Sequence, residues 1–273
     1  MAVMRSPVRL TGNASARAPE ERAASSPAAA RWRRLGWHPL ARRRSWVLGR
    51  VAIGLAALVM LGAAALGGLL ALAPGVANAP VLASRSLSRH GGQPVAEVPV
   101  KVGDALVAIE DQAFRSPPGV DIAYGAIRYL YAHLQGQSSQ GGSTLAQQLA
   151  KVLYTGPGDS PFDVAEQVVL ALKLEITYSH QQLLTMYANS VYFGDGAYGL
   201  AMAAERYFHR SPAALDWAQA SLLAGLVQAP SILDPLVHPH LALLRRNAVV
   251  AQLRAMGVLS APVAHRVTAQ PLL

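Results

Sequence analysis

Apolar residues recur at spacings of three and four positions over eight stretches of the chain, and this spacing places them on one face of an α-helix. Clusters of glycine and proline separate the stretches, as expected where helices end. Residues 190–194 favour either a short strand or a buried connector. The pattern therefore predicts a mainly α domain, with helices over 104–115, 122–134, 144–154, 163–177, 180–190, 197–208, 212–228 and 240–256.

One further stretch is apolar on every face, since Val51 to Ala73 contains 23 residues and no charge. At ~1.5 Å per residue it spans about 34 Å, against roughly 30 Å for the hydrocarbon core of a bilayer. Arginines at 42–44 and 50 precede it, which predicts a cytoplasmic amino end and an extracytoplasmic remainder. A cleaved signal peptide is the alternative; the small residues 77–79 favour it, whereas Pro80 and the length of the run oppose it.

The net charge of +9 lies entirely before the apolar run. Residues 1–50 contain 11 arginines against 2 acidic residues, whereas residues 51–273 contain 13 basic and 13 acidic residues. Because the part that should fold is neutral, no nucleic-acid partner is predicted. Composition predicts four regions: a disordered basic cytoplasmic tail, a transmembrane anchor, a juxtamembrane linker rich in glycine and proline, and a helical domain, over 1–44, 45–74, 75–100 and 101–273.

The string from Gly141 to Lys151 predicts a helix start that could bind an anion. Thr144 followed three residues later by Gln147 is a capping-box pattern, and the backbone N–H groups of such a start can hold phosphate. Thr144, Gln147, Gln148 and Lys151 fall on one face of this helix. The alternative is an ordinary capped amphipathic helix with a polar solvent face.

Glu110 follows the apolar stretch 105–109 and precedes Asp111. A carboxylate at the end of a buried helix can have a raised pKa, which suits a general base. An exposed acidic pair that closes a helix is the alternative.

Four blocks of residues stand in order along the chain. The first is Glu-Asp-x-x-Phe with Gly119, and the second is Gly-x-Ser-Thr-x-x-Gln-Gln-x-x-Lys over 141–151. The others lie over 186–208 and 218–230, with a weaker third motif between. Together these blocks resemble the family 51 glycosyltransferases, the peptidoglycan polymerases. Several ordered blocks are far more specific than one short motif. The layout is similar to that of the monofunctional members of the family.

The resemblance implies a lysozyme-like α-helical domain behind one transmembrane helix, in the bacterial inner membrane with the catalytic domain in the periplasm. It implies polymerisation of lipid II into β-1,4 glycan with inversion and release of lipid pyrophosphate. The partners would be lipid II, the growing glycan chain, the bilayer and other proteins of cell-wall synthesis. Glu110 would be the catalytic base, and the residues implied in substrate binding are Asp111, Phe114, Ser143, Thr144, Gln147, Gln148, Lys151, Lys173, Glu175 and Asn189.

The chain departs from the family pattern in two motifs. Pro117 stands where the family has histidine, and Gln167 stands where it has a second catalytic glutamate. Gln167 cannot act as a base. The adjacent Glu166 would replace it only if the alignment slipped by one residue. The basic pair upstream of that glutamate falls on Asp163 and Val164, which removes positive charge from the predicted pyrophosphate site.

Three function classes follow: an active polymerase, a degenerate member that binds lipid II or partners with little turnover, and a lysozyme-like hydrolase with Glu110 as general acid. The stretch 122–131, with tyrosines at 124, 129 and 131, is either a membrane-facing surface or core. The histidines show no zinc spacing. No cofactor is predicted with certainty; a divalent cation bound with the substrate pyrophosphate is the candidate.

Overall fold

The apolar run lies in helix α1, Pro39–Leu72, of a computed structural model that describes residues 39–125, 131, 135, 143–158 and 160–273. Within it, Leu48–Leu72 is long and apolar enough to cross a membrane, and its side chains are not buried. Arg50 lies over the ring of Trp46, 3.5 Å from its centroid, an arrangement suited to a membrane interface. The chain divides into two compact units, Met1–Ala65 and Leu66–Leu273.

The second unit is mainly α, as the apolar spacing predicts. A single antiparallel bridge, Tyr192 to Tyr198, is its only β pairing among the described residues, so residues 190–194 are a connector. After α1 its helices are α2 Ala79–Ser88, α3 Val100–Glu110, α4 Leu145–Ala150 with a π-helical turn Lys151–Thr155, α5 Pro161–Thr177, α6 His180–Ser190, α7 Leu200–Phe208, a 3₁₀ turn Pro212–Ala214, α8 Trp217–Leu226, α9 Pro239–Ala255 and α10 Ala261–Ala269.

Four of these helices begin with a complete capping box, in which a side chain at the start and one three residues later satisfy each other's backbone N–H. The cap residues are Thr144, Ser160, Ser179 and Asp216. The cap at Asp216 explains why the predicted helix 212–228 is divided into a 3₁₀ turn and α8. The helix predicted over 122–134 begins at Val120, and most of it lies outside the described residues.

Helix α8 is buried on all sides and packs between α3 and α9 at the centre of the unit. The side chain of Arg246 is also fully buried there. It donates to the carbonyl oxygens of Thr268, Gln270 and Pro271, which ties the carboxy-terminal segment to α9. A buried guanidinium needs such acceptors to offset its lost hydration.

The prediction of a loose linker over 75–100 is wrong for its centre. Helix α2 lies there, and Ala79, Ala83 and Leu87 belong to the hydrophobic core. Their four-residue spacing places them on one helical face, although glycine and proline on both sides gave the stretch the composition of a linker. Helix α10 was not predicted either.

Candidate functional site

Glu110 is the last residue of α3, a helix whose preceding residues Ala105 to Ala108 are fully buried. The chain turns away at Asp111, which leaves the Glu110 side chain at the edge of the core with 10% of its surface exposed. The sequence prediction of a carboxylate at the end of a buried helix is therefore confirmed in its geometry, and the alternative of an exposed acidic pair is wrong.

The two carboxylate oxygens of Glu110 have different surroundings. Oε2 accepts a hydrogen bond of 2.9 Å from Nε2 of Gln148. Oε1 is buried without a hydrogen-bond partner and lies 3.7 Å from Nη2 of Arg245. Burial raises the pKa of Glu110, and the contacts with Gln148 and Arg245 oppose this rise. One oxygen is thus held by an amide, and the other lies beside a guanidinium without a hydrogen bond.

Gln148 is held in turn by Tyr187, which is buried in α6. The Tyr187 hydroxyl donates to Oε1 of Gln148 at 2.6 Å, so the amide nitrogen of Gln148 faces Glu110. Burial raises the pKa of Tyr187 well above its ordinary value, so the phenol stays protonated and remains a donor.

The start of α4 has the predicted capping box, and three of its backbone amides have acceptors within the protein. Gln147 N donates to Thr144 Oγ1 at 3.1 Å, and Thr144 N donates to Gln147 Oε1 at 2.9 Å. Leu145 N donates to Oδ2 of the buried Asp111 at 3.1 Å. These three amides already have acceptors, so they do not offer a free donor to a phosphate. Asp111 serves instead to join the first motif to the second.

Lys151 begins the π-helical turn and lies close enough to Asp163 to lower the pKa of that carboxyl, after the larger effect of the hydrogen bonds from Ser160. Asp163 is the third residue of α5 and completes its capping box with Ser160. The acidic residue that replaces the family's basic position therefore has a local structural role. It also places negative charge near Lys151.

Gln167 is buried, and its Nε2 donates to the carbonyl oxygen of Gly158 at 3.0 Å. A Cβ at Gly158 would lie 2.5 Å from Asp163 Oδ2, so the loop before α5 packs closely against this helix. The side-chain amide of Gln167 thus holds the loop before α5 by donating a hydrogen bond to it. Glu166 is half-buried one position away on α5.

Glu175, also on α5, binds the loop of the first motif. Its Oε2 accepts from Gly119 N at 2.7 Å, and Gly119 has the left-handed φ of +81° that glycine favours. Burial raises the pKa of Glu175 to about 8, a rise that the Gly119 hydrogen bond opposes and that Asp121 and Asp111 reinforce. Oε1 of Glu175 and Oδ2 of Asp121 are both buried without hydrogen-bond partners. A shared proton between these carboxyls accounts for both observations.

Three residues expected to bind substrate have other partners in the structure. Phe114 is buried in the core, where its ring centroid lies 5.1 Å from that of His180. Asn189 is paired with the backbone of Val95, whose N–H donates to its Oδ1 and whose carbonyl accepts from its Nδ2. Lys173 binds backbone carbonyls after α1. Ser143 is exposed beside Thr144.

Sequence reasoning did not assign Arg245 or Tyr187 to the site. Arg245 and Arg246 are neighbours on α9, yet Arg245 faces Glu110 and Arg246 faces the carboxy terminus. Consecutive helical residues point about 100° apart. Two adjacent arginines on an apolar helix are the signal that could have found this pair, because buried guanidinium groups need partners.

No group of three or more histidine, aspartate or glutamate side chains is placed to hold a metal ion within the described ranges. Tyr124 and Tyr131 are exposed, which favours a surface over core for those two positions. Tyr129 lies outside the described residues.

Comparison with known proteins identifies relatives of this arrangement. A family model described as Transglycosylase matches residues 81–254. Penicillin-binding protein 1F of Bacillus subtilis is 36% identical over 188 residues, which are 68% of this chain and 26% of that protein. A Cupriavidus necator protein named provisionally as a transglycosylase is 32% identical over 210 residues, 76% of this chain and 90% of that protein.

The chain thus spans about a quarter of the length of the penicillin-binding proteins that it resembles. A crystal structure of penicillin-binding protein 1A from Haemophilus influenzae aligns with 66% of this chain and 17% of its own, at 20% identity and a TM-score of 0.39. The sequence matches, rather than this distant structural match, connect the chain to its relatives.

Proposed function

Because the chain belongs to the Transglycosylase family, we propose that it is a peptidoglycan glycosyltransferase of the bacterial inner membrane, anchored by Leu48–Leu72 with its catalytic domain in the periplasm. Its substrates would be lipid II and a growing glycan chain that is held through its lipid pyrophosphate. The product would be a β-1,4-linked glycan strand.

The buried carboxylate of Glu110 is the observation that carries this proposal. Burial raises its pKa from the ordinary value, which brings the base closer to neutral pH and makes it a better proton acceptor. Gln148 binds Oε2 and Arg245 flanks Oε1, so the carboxylate is fixed in orientation at the end of α3. Arg245 beside Oε1 keeps the carboxylate charged until the acceptor substrate binds.

In the proposed reaction, Glu110 removes the proton from the 4-hydroxyl of the terminal N-acetylglucosamine of lipid II. The oxygen forms a bond to the anomeric carbon of the donor sugar from the opposite side to the pyrophosphate. The bond from that carbon to the pyrophosphate oxygen breaks, and the lipid pyrophosphate leaves with the electron pair. Inversion follows from this single displacement, and Glu110 then releases its proton to water.

Substrate phosphates would be bound by side chains, since three backbone amides at the start of α4 already have acceptors. We assign this role to Lys151, which begins the π-helical turn, and to Ser143, which is exposed before the start of α4. Asp163 reduces the positive charge available there. A divalent cation bound with the substrate pyrophosphate is still a candidate, and the proposal includes no step through one.

A degenerate family member is the second candidate, and Gln167 favours it. Gln167 occupies the place of the family's second catalytic glutamate and is committed to the Gly158 carbonyl. In this case the chain would bind lipid II, or other proteins of cell-wall synthesis, with little turnover.

Polymerisation of labelled lipid II by the detergent-solubilised chain tests the proposal. We expect the parent to make glycan and Glu110→Gln to make none, while Glu97→Gln, at an exposed glutamate, retains the parent rate. Glycan synthesis that survives in Glu110→Gln would refute the role of Glu110. An inert parent that binds lipid II, with synthesis restored by Gln167→Glu alone, would establish the degenerate candidate. Disaccharide release from finished sacculi would indicate a hydrolase.

A further inference from the structure

The backbone that follows α1 is bound by a lysine from α5. Nζ of Lys173 donates to the carbonyl oxygens of Ala73 at 2.6 Å and Pro74 at 3.1 Å. The last carbonyls of a helix have no partner within it, and the negative end of the helix dipole favours a cation there. Pro74 stops the helix from continuing, which leaves these carbonyls for the ammonium group.

Two tyrosines bind the next residues of the same segment. The hydroxyl of Tyr178 donates to the carbonyl oxygen of Val76 at 2.9 Å, and the hydroxyl of Tyr154 donates to Oδ1 of Asn78 at 2.9 Å. Val76 is buried, and Ala79 after it is fully buried at the start of α2. Residues 73–78 are therefore held along their length.

The three side chains come from elements that also form the candidate site. Tyr154 lies in the π-helical turn that begins at Lys151, and Lys173 lies on α5 two residues before Glu175, which binds the loop of the first motif. A displacement of residues 73–78 would therefore act on α5 and on the π-helical turn, which pack against and continue α4, the helix that carries Gln148.

We propose that Tyr154, Lys173 and Tyr178 form an exit clamp, a set of positioning residues that fixes the backbone after α1 against α5 and the π-helical turn. The clamp holds the candidate site at a set distance from the point where the chain leaves the bilayer. A lipid-linked substrate has its pyrophosphate at the membrane surface, so this distance decides whether the substrate reaches Glu110. Its effect on lipid II rests on the proposed function, whereas the clamp itself does not.

Lys173 was expected to bind substrate because of the family resemblance, and the exit clamp replaces that role. Substrate binding and backbone binding by Lys173 predict different results when the ammonium group is removed and no substrate is present. A lysine that binds substrate phosphate leaves the backbone at 73–78 unchanged when it is replaced. Replacement of a lysine that belongs to the exit clamp releases the backbone at 73–78.

A spin label at residue 75 measures this release directly. The chain contains no cysteine, so Gly75→Cys gives a single labelling site, and a Cβ at Gly75 meets no atom within 4 Å. The full chain is reconstituted in liposomes without substrate, and the mobile fraction is read from the electron paramagnetic resonance spectrum. Lys173→Met and Tyr178→Phe are compared with Lys101→Met, which removes a similar lysine contact, to the Leu215 carbonyl.

We expect the ratio of mobile to immobile label to rise roughly tenfold in Lys173→Met, as for the loss of a charge-assisted hydrogen bond. The rise should be smaller in Tyr178→Phe. Lys173→Arg should restore the parent spectrum, and Lys101→Met should leave it unchanged. An unchanged spectrum in both Lys173→Met and Tyr178→Phe overturns the clamp. The label spectrum does not depend on glycan synthesis. A parent that makes no glycan would therefore refute the proposed function but not the exit clamp.

The consequence for lipid II is tested with the same variants in an active parent. We expect Lys173→Met to raise KM for lipid II in liposomes several-fold and to leave kcat near the parent value, because the base itself is untouched. A loss of kcat with unchanged label mobility would return Lys173 to a direct role in the reaction and would overturn the clamp.

Discussion

The hydroxyl of Tyr187 donates to Oε1 of Gln148 at 2.6 Å and thereby turns the Gln148 amide nitrogen toward Glu110. A glutamine amide can rotate by half a turn at little cost, and the rotated form would place a carbonyl oxygen against the carboxylate. The carboxylate of Glu110 excludes the rotated form because an ionised carboxylate can only accept, and the Tyr187 hydroxyl supports the observed form by donating to the Gln148 oxygen. A tyrosine that does not touch Glu110 therefore helps to hold the group that does.

Replacement of Tyr187 by phenylalanine should weaken this control without changing the core. We expect Tyr187→Phe to lower kcat/KM for glycan synthesis about 3- to 10-fold, as for the loss of one hydrogen bond worth ~1 kcal/mol. The Gln148 hydrogen bond lowers the pKa of Glu110, so its loss should also move the acidic limb of the pH profile to higher pH. Steady-state rates from pH 5 to 9 measure both effects.

Tyr207→Phe is the matched control, because it removes another buried tyrosine hydroxyl bond, to the Phe193 carbonyl, far along the chain from Gln148. A similar loss of rate in both variants would assign the effect of Tyr187 to packing.

Arg245 should control the pKa of Glu110 from the other side. Its guanidinium lies 3.7 Å from Oε1 and lowers the pKa of a carboxyl that burial raises. Arg245→Gln removes this charge, so Glu110 should need a higher pH to ionise, and the rate should fall more at pH 6 than at pH 8. Arg254→Gln, at an exposed position on the same helix, should keep the parent profile. An acidic limb that stays in place in Arg245→Gln would contradict the prediction.

Glu175 should make the stability of the protein depend on pH. Its pKa is raised to about 8 in the fold from 4.5, so the folded chain keeps a proton that the unfolded chain loses between these values. The stability is therefore greatest below about pH 4.5 for this group and falls as pH rises through about 8. Thermal unfolding of the detergent-solubilised chain at pH 6 and pH 9 measures the difference.

Glu175→Gln should flatten this dependence, since the amide accepts from Gly119 N as before and can donate to Asp121 without losing a proton. Glu97→Gln, at an exposed position, should leave the dependence unchanged. A Glu175→Gln variant whose Tm still falls between pH 6 and pH 9 by as much as that of the parent would exclude the shared proton.

Local signals in the sequence predict the individual helices well but not their contacts. The helix over 180–190 has the predicted bounds, because its apolar spacing and its Ser179 cap agree. Glu110 and Gln148 were both assigned to the site by motif. Tyr187 and Arg245 were missed, since periodicity shows that a helical face is buried but not which element covers it. The contact of Lys173 with the carbonyls after α1 was missed for the same reason, because a lysine suits a substrate phosphate and a helix carbonyl equally.

Gln167 should be better suited to this fold than the glutamate of the family. Its Nε2 donates to the Gly158 carbonyl from a buried position, and an ionised glutamate there would place two acceptors against each other. We expect Gln167→Glu to destabilise the chain by ~1–3 kcal/mol and to lower Tm by several degrees. It should also speed protease cleavage in the loop over 156–160. Glu166→Gln, one position away and half-buried, should change neither. A Gln167→Glu variant at least as stable as the parent would show that the loop accepts a carboxylate, and the absence of the second glutamate would then have no structural cause.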